Sequence, residues 1–424
     1  MRCPRLTSLS YRQSVATHTL CDREEVHTVP QEAVRADVAR PLAGLIVVEI
    51  TATPAAAFAA ALAADHGATV IVCEPAEGSP LRRLGPESVQ AHWWAALGRG
   101  KLSLCLDEHK PEFAAVLSRL EGRSGILFRD EWAFAHCLSD RLGPQLLDVC
   151  LHATGADRRD LWPWSTRSEF AAAASGVMAL TGAADGFGVA PELPLADYCA
   201  GTLALSAALA ELRAARLADR TPRPLRFGLH EALMRMNEWQ VAIASGLGRA
   251  ERRNGNRFPM NSNIGNIFKT SDGRLITVSA ATQPVAARFL AMIGGPALAQ
   301  DPRFATPAAR RENMDALDAE IATWIGARPA ADVLRMAREC DVVVGPVHDA
   351  GDIEEHPQVV ARANVVALDG RPMPAITPRQ VGRDQSVPRH APRIGEHSEA
   401  VLETIGFEPE EAQALLETGA VKQG

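Results

Sequence analysis

The sequence predicts an α/β protein built on a doubly wound parallel sheet, followed by a second, differently patterned region. Three observations carry this expectation. Residues 45–50 are an apolar, β-branched run, residues 55–66 are nearly all Ala, Leu and Phe, and residues 69–73 are a second β-branched run. A strand–helix–strand unit of about thirty residues is the seed of a parallel sheet. Next, residues 200–217 are dominated by Ala, Leu, Glu and Arg, the strongest helix formers. Beyond a break at 220–224, Phe268-Lys-Thr-Ser-Asp-Gly-Arg-Leu-Ile-Thr-Val278 reads as a hairpin turning at Asp272-Gly273.

The elements follow in order. Residues 1–40 are mixed and polar, with acids at Asp22, Glu24 and Glu25 and without the apolar core of a signal peptide, so they read as an N-terminal extension. Pro54 suits the first turn of the first helix, and Gly67 suits its C-terminal stop. Residues 102–106 and 125–128 read as further strands, with a helix over 111–120 between them. Residues 168–184 are small and apolar, which predicts buried helix. Residues 246–266 are rich in Gly, Asn and Arg without periodicity. Helical segments then run to about residue 340, Pro-rich coil covers 364–392, and a last short helix covers 409–417. Met234 and Met236, on the helix after His230-Glu231, read as packing residues.

Bulk composition narrows the function classes. The chain has 424 residues, 47% hydrophobic and 22% charged, a soluble globular composition long enough for two or more domains. A net charge of −7 gives no basic footprint, and aromatics are only 5%, so nucleic acid is not expected as a partner. The eight Cys are scattered singly with no CxxC pair, which predicts no metal site and fits a reducing, cytoplasmic setting. No apolar run reaches the length of a membrane span, so no membrane partner is expected.

Missing motifs exclude several α/β chemistries. The turn after the first strand reads Thr51-Ala-Thr-Pro-Ala-Ala, and without glycines its backbone cannot approach a pyrophosphate as GxGxxG does. GxxxxGK[ST], GxSxG and HExxH are also absent.

The ordered blocks carry a resemblance. Leu42-Ala-Gly-Leu-Ile-Val-Val-Glu49 is followed by Gly67-Ala-Thr-Val-Ile-Val-Cys-Glu-Pro75 and Leu97-Gly-Arg-Gly-Lys-Leu-Ser-Leu-Cys-Leu-Asp107. Then come Ala174-Ser-Gly-Val-Met-Ala-Leu-Thr-Gly182, Val344-Gly-Pro-Val347, His356-Pro-Gln358 and Ala391-Pro-Arg-Ile-Gly-Glu-His397. Together, from about residue 41 to 421, they resemble the family III CoA transferases, the CaiB/BaiF and formyl-CoA transferase group. The resemblance implies a Rossmann-like large domain built from both chain ends, a smaller α+β middle domain and an interlocked homodimer. On this chain that means a first part at 41–225, a middle domain at 226–345 and a return at 346–424. It also implies acyl-CoA and a small carboxylic acid as substrates, with no permanently bound cofactor.

Asp197, in Pro191-Glu-Leu-Pro-Leu-Ala-Asp197-Tyr-Cys-Ala-Gly201, stands where the family's catalytic aspartate stands. There it would attack an acyl-CoA thioester, giving a mixed anhydride and then an aspartyl-CoA thioester. Asp is also a preferred N-cap, so capping of a helix starting near Tyr198 is the plain alternative. The resemblance places coenzyme contacts at Thr53, Pro54, Ala55, Leu106, Asp130 and Arg141, and Arg82 with Arg83 lies close enough to serve the phosphates; ordinary core for Leu106 and a solvated pair for the two arginines are the plain alternatives. Asp130 replaces the usual asparagine, and an acid there would repel phosphate. Gly255 and Gly265 are the candidates for the loop that closes on the site. Two further functions share the fold. An α-methylacyl-CoA racemase would need a histidine about thirty residues before the aspartate, where this chain has Arg167; His152 is the nearest upstream histidine. A non-catalytic acyl-CoA-binding relative is the third reading.

Overall fold

The computed structural model describes residues 40–132, 134–135, 143, 145–152, 155, 167–257, 264–381 and 389–424. The extension up to residue 39 lies outside them, as do Arg141 and residues 258–263 beside Gly265.

The β-branched runs form the centre of a seven-stranded sheet. β1 (Ile46–Ile50), β2 (Thr69–Glu74), β3 (Leu102–Leu106), β4 (Ile126–Arg129), β5 (Leu147–His152) and β6 (Leu225–Gly228) pair in parallel, in the spatial order β3-β2-β1-β4-β5-β6. That is the strand order of a Rossmann sheet, reversing between β1 and β4. The last strand, β12 (Val421–Lys422), closes the β3 edge antiparallel, so both ends of the chain build this sheet.

Alternation along the strands feeds two cores. Val47, Val70, Ile126, Phe128 and Val149 face the alanine-rich side, covered by α1 (Pro54–Asp65) and a long helix at Leu195–Leu217. Val48, Ile50, Ile71 and Leu104 face the other side, under Phe113, Val116, Leu117 and Leu120 of the helix Phe113–Arg123 and Val401, Leu402 and Leu415 from the C-terminal end. Numbered in chain order, the helices before the second sheet are α1, α2 (Glu87–Gly98), α3 (Phe113–Arg123), α4 (Ser168–Ala174), α5 (Val177–Leu180), α6 (Leu195–Leu217), α7 (Leu229–Met236) and α8 (Glu238–Leu247). The single buried helix expected over 168–184 is divided at Gly176, whose φ of +84° cannot continue a helix.

A second sheet follows. β7 (Ile264–Lys269), β8 (Leu275–Ala280) and β9 (Val344–Pro346) are antiparallel, with Gly273 at φ +82° in the expected Asp272-Gly273 turn. Helices α9 (Gln283–Ala299), α10 (Pro307–Glu312), α11 (Met314–Gly326) and α12 (Ala330–Glu339) enclose a separate core around Phe289, Phe304, Ile321 and Ile325. The chain then returns through α13 (Ala350–Glu355) and α14 (Pro357–Ala361) to α15 (Ser398–Thr404) and α16 (Pro409–Glu417).

Four details differ from the sequence reading. Residue 226 lies inside β6, and Leu229, Ala232 and Leu233 of α7 pack into the first core, so the large sheet's layers extend past the boundary expected there. The stretch expected as Pro-rich coil contains a hairpin, β10 (Val365–Leu368) with β11 (Arg371–Pro374), turned by Asp369 and Gly370, both at positive φ. Pro372 and Pro374 obscured it, because proline is tolerated in such isolated edge pairs. Met234 and Met236 are exposed rather than packed. Finally, α6 is long and apolar enough to cross a membrane by length and composition alone. Its Ala196, Ala200, Ala204 and Ala208 are buried in the core beneath the sheet, so its composition reflects helix-on-helix packing against α1.

Candidate active site

Asp197 occupies the third position of α6, not its N-cap. Pro194 is the cap residue and the helix begins at Leu195, three residues earlier than the sequence suggested. No side-chain hydrogen bond caps the helix there. The carboxylate is therefore inside the first turn, where backbone N–H groups point out of the helix and favour an anion. It is only 2% exposed. Burial pushes its pKa up to about 6, while the Ser168 hydroxyl, the Ala55 N–H and its own N–H pull the other way. Ser168 is itself positioned, because its Oγ accepts a hydrogen bond from Ala196 N at 3.1 Å. The Oδ1 oxygen is buried without a hydrogen-bond partner among the described residues. A carboxylate held near neutrality, with one oxygen unengaged, has the chemistry of a poised nucleophile.

Ala55 comes from the crossover after β1, at the point where the strand order reverses. That turn is held on all sides. The Thr51 hydroxyl donates to Asp130 Oδ2 at 2.6 Å, and Ala52 N donates to the same oxygen at 2.8 Å. Asp130 Oδ1 accepts from Trp132 N at 2.9 Å. The Ser79 hydroxyl donates to the Thr51 carbonyl at 2.7 Å, and Thr53 N donates to Thr51 Oγ1 at 3.1 Å. Asp130 thus ties the end of β4 to the end of β1, and Thr53, Pro54 and Ala55 leave the turn in a fixed direction towards Asp197.

These features coincide with matches to known proteins. The model of CoA-transferase family III matches residues 42–398. The chain belongs to the family III CoA-transferases. It is 28% identical to the succinyl-CoA–D-citramalate CoA-transferase of Chloroflexus aurantiacus, covering 90% of this chain and 98% of that protein. It is 26% identical to the acetyl-CoA:oxalate CoA-transferase of Acetobacter aceti, covering 85% and 95%. The crystal structure of a CaiB/BaiF family protein from Brucella suis superposes with a TM-score of 0.77 at 24% identity, covering 86% of this chain and 99% of that one, and so shares the fold.

In this family III chain the other expected contacts scatter. Arg82 is engaged: its guanidinium donates to both oxygens of Glu74 at 2.7 and 2.6 Å and to the Pro392 carbonyl at 3.0 Å. It also stacks 4.0 Å over Trp94, whose indole N–H donates to the same Pro392 carbonyl at 2.9 Å. Arg83 donates to the Glu77 carbonyl at 2.8 Å and is the more exposed of the pair. Leu106 is buried in the core, opposite Val421 of β12. Gly265 lies in β7 opposite Ser279, in a strand rather than a loop. Gly255 is exposed, with φ +60°, in a turn beside Arg253, which donates to the Gly186 carbonyl at 2.7 Å. Arg141 lies outside the described residues.

A racemase would pair the aspartate with a second acid–base group. Arg167, at the position counted for it, pairs with Glu169 at 2.6 Å, and a guanidinium offers donors but no acceptor for a proton. His152 is buried at the end of β5, 3.0 Å from Glu131.

Ser168 escaped the sequence reading as a site residue. Its signal was present, a serine opening Ser168-Glu-Phe ahead of an alanine run, but a helix-start serine reads as a cap before it reads as a donor to a distant aspartate.

Proposed function

We propose that this chain moves CoA between an acyl-CoA thioester and a free carboxylic acid, with Asp197 as nucleophile. The observation that carries the reading is the environment of Asp197: buried, shifted to about 6, and faced by an amide of α1 and the hydroxyl of Ser168. In the first step Asp197 attacks the thioester carbonyl. The C–S bond breaks and its electron pair leaves as CoA thiolate, giving an aspartyl–acyl anhydride. The thiolate then attacks the aspartyl carbonyl and expels the donor acid as carboxylate, leaving an aspartyl-CoA thioester. The acceptor carboxylate repeats the sequence in reverse and regenerates the Asp197 carboxylate. Each step needs N–H or O–H donors for the developing oxyanion.

Thr53, Pro54 and Ala55 are assigned to the coenzyme face of the site, because they leave the fixed turn beside Asp197. Arg141 and the turn at Gly255 are assigned to the coenzyme and to loop closure on the strength of the family pattern. Named relatives act on succinyl-CoA with D-citramalate and on acetyl-CoA with oxalate, which supports a short acyl donor and a small carboxylic acceptor. An interlocked homodimer is supported by the large apolar side chains left exposed, with Phe187 93% exposed and Phe170, Leu193, Met236, Val241 and Leu247 exposed as well.

The test is intact-protein mass spectrometry after incubation with a panel of acyl-CoAs and trapping with hydroxylamine. A hydroxamate on Asp197, absent from Asp197→Ala, is the expected result. CoA binding with no adduct on any donor would overturn the nucleophile.

A further inference from the structure

The helix that brings Ala55 to Asp197 has no polar side chain in its first turn. α1 reads Pro54-Ala-Ala-Ala-Phe-Ala-Ala-Ala-Leu-Ala-Ala-Asp65, with no side-chain cap at Thr53 and no acidic residue in its first turn. Its buried alanines pack against the alanines of α6. At its C-terminal end, Asp65 is tied to Arg99 at 2.8 Å. At its N-terminal end, a side chain reaches the helix from beneath: Lys101 Nζ donates to the Ala57 carbonyl at 2.8 Å.

Lys101 is wholly buried, and so is its partner Glu49, with Nζ 2.6 Å from Glu49 Oε2. Burial drives the Lys101 pKa down and that of Glu49 up, and their mutual attraction opposes both shifts. A buried ion pair contributes little net stability compared with apolar residues of the same volume, so its value lies in geometry. Here Glu49 of β1, Lys101 at the start of β3 and Ala57 of α1 are joined in one contact. β1 runs directly into the turn that Asp130 fixes, and Ala57 lies two residues beyond Ala55.

We propose that Lys101, anchored by Glu49, is a positioning residue for Asp197: by holding the Ala57 carbonyl it sets the first turn of α1 so that the Ala55 N–H faces the nucleophile. The role rests on the proposed chemistry of Asp197. The ionisable groups around the nucleophile are Glu169 from α4, which pairs with Arg167, and Tyr198 on α6. Those around Lys101 are Glu49, Asp65 and Arg99. Glu74 and Asp130 act on Glu49.

The deciding variant is the double replacement Glu49→Leu with Lys101→Met, which removes both charges and keeps the volume, and Glu49→Gln removes only the anchoring charge. The rate of Asp197 adduct formation, acyl-CoA affinity and the pH dependence of the rate are measured on each, with thermal unfolding to confirm folding. The double variant is expected to bind acyl-CoA as the wild type does but to form the adduct about ten- to a hundredfold more slowly, as for a catalytic group displaced by a fraction of an ångström. Its acid limb is expected at higher pH, because Asp197 loses a donor. Glu49→Gln leaves the Lys101 amine without its charged anchor and is expected to slow the adduct by a smaller factor. A folded double variant with the wild-type rate and acid limb would overturn the role of Lys101 alone. If the double variant does not fold, Glu49→Gln decides: a folded Glu49→Gln with the wild-type rate and acid limb overturns the tether. No adduct on wild-type Asp197 with any donor would overturn the nucleophile and this role with it.

Discussion

Gly201 of α6 meets the Ala55 carbonyl of α1 with no room for a side chain: a Cβ at Gly201 would lie 2.5 Å from that oxygen and 3.1 Å from Ala59 N. Both neighbours are backbone, so the strain cannot be relieved by turning a side chain. Gly201→Ala must push α1 away from α6, one turn beyond Asp197. The variant is expected to lose about 1–3 kcal/mol of stability, read by chemical denaturation. Its adduct-forming rate is expected to fall about tenfold or more as the Ala55 N–H retreats. A variant of wild-type stability and rate would show that the two helices are not locked at this contact.

Asp197 must be ionised to attack. Burial raises its pKa to about 6, so kcat/KM is expected to fall on the acid side with an apparent pKa near 6. Below that value the rate should drop about tenfold per pH unit. A rate that stays level down to pH 4.5 would place the aspartate outside the essential groups.

The same shift has a stability consequence. The folded chain holds the Asp197 proton up to about 6, whereas the unfolded chain releases it near the ordinary value of 3.8. The unfolded state therefore binds fewer protons in that window, and this group's contribution to stability falls as pH rises through it. Asp197→Asn removes the effect. It is expected to be more stable than wild type at pH 8, by about 3 kcal/mol, with the difference vanishing towards pH 4. Denaturant titrations at the two pH values measure it.

Arg82 and Glu74 form a pair in which the acid is wholly buried. Arg82→Gln leaves that carboxylate with Ser79 N and the Ser103 hydroxyl as its remaining donors. The expected loss is about 3 kcal/mol of stability, with CoA affinity in the folded protein unchanged. A stable variant with weakened CoA binding would return Arg82 to the coenzyme.

Some of the sheet was invisible in the sequence for a definite reason. β5 and β6 carry Asp148 and Arg226 within short apolar runs, which spoils the pattern of a buried strand. In the folded sheet Asp148 accepts from Arg129 on one side at 2.7 Å and from Arg226 on the other at 2.7 Å. Those charges are matched across strands, and cross-strand register exists only after folding. Asp130 shows the same limit. As an isolated acid near a coenzyme it predicts repulsion, yet three N–H or O–H donors from β1's end and its own turn converge on it.

The sequence by itself determined the local grammar: the β-branched strands, the alanine helices between them, the Asp-Gly hairpin and the ordered blocks that mark Asp197. It could do so because backbone propensity and apolar period are properties of neighbouring residues. Only the tertiary structure decided what faces Asp197, how strongly burial shifts it, and that Arg82 is spent on Glu74 while Lys101 reaches under α1. Those outcomes depend on desolvation and on hydrogen bonds between segments far apart in the chain, and both arise when the α1 and α6 helices close on the sheet.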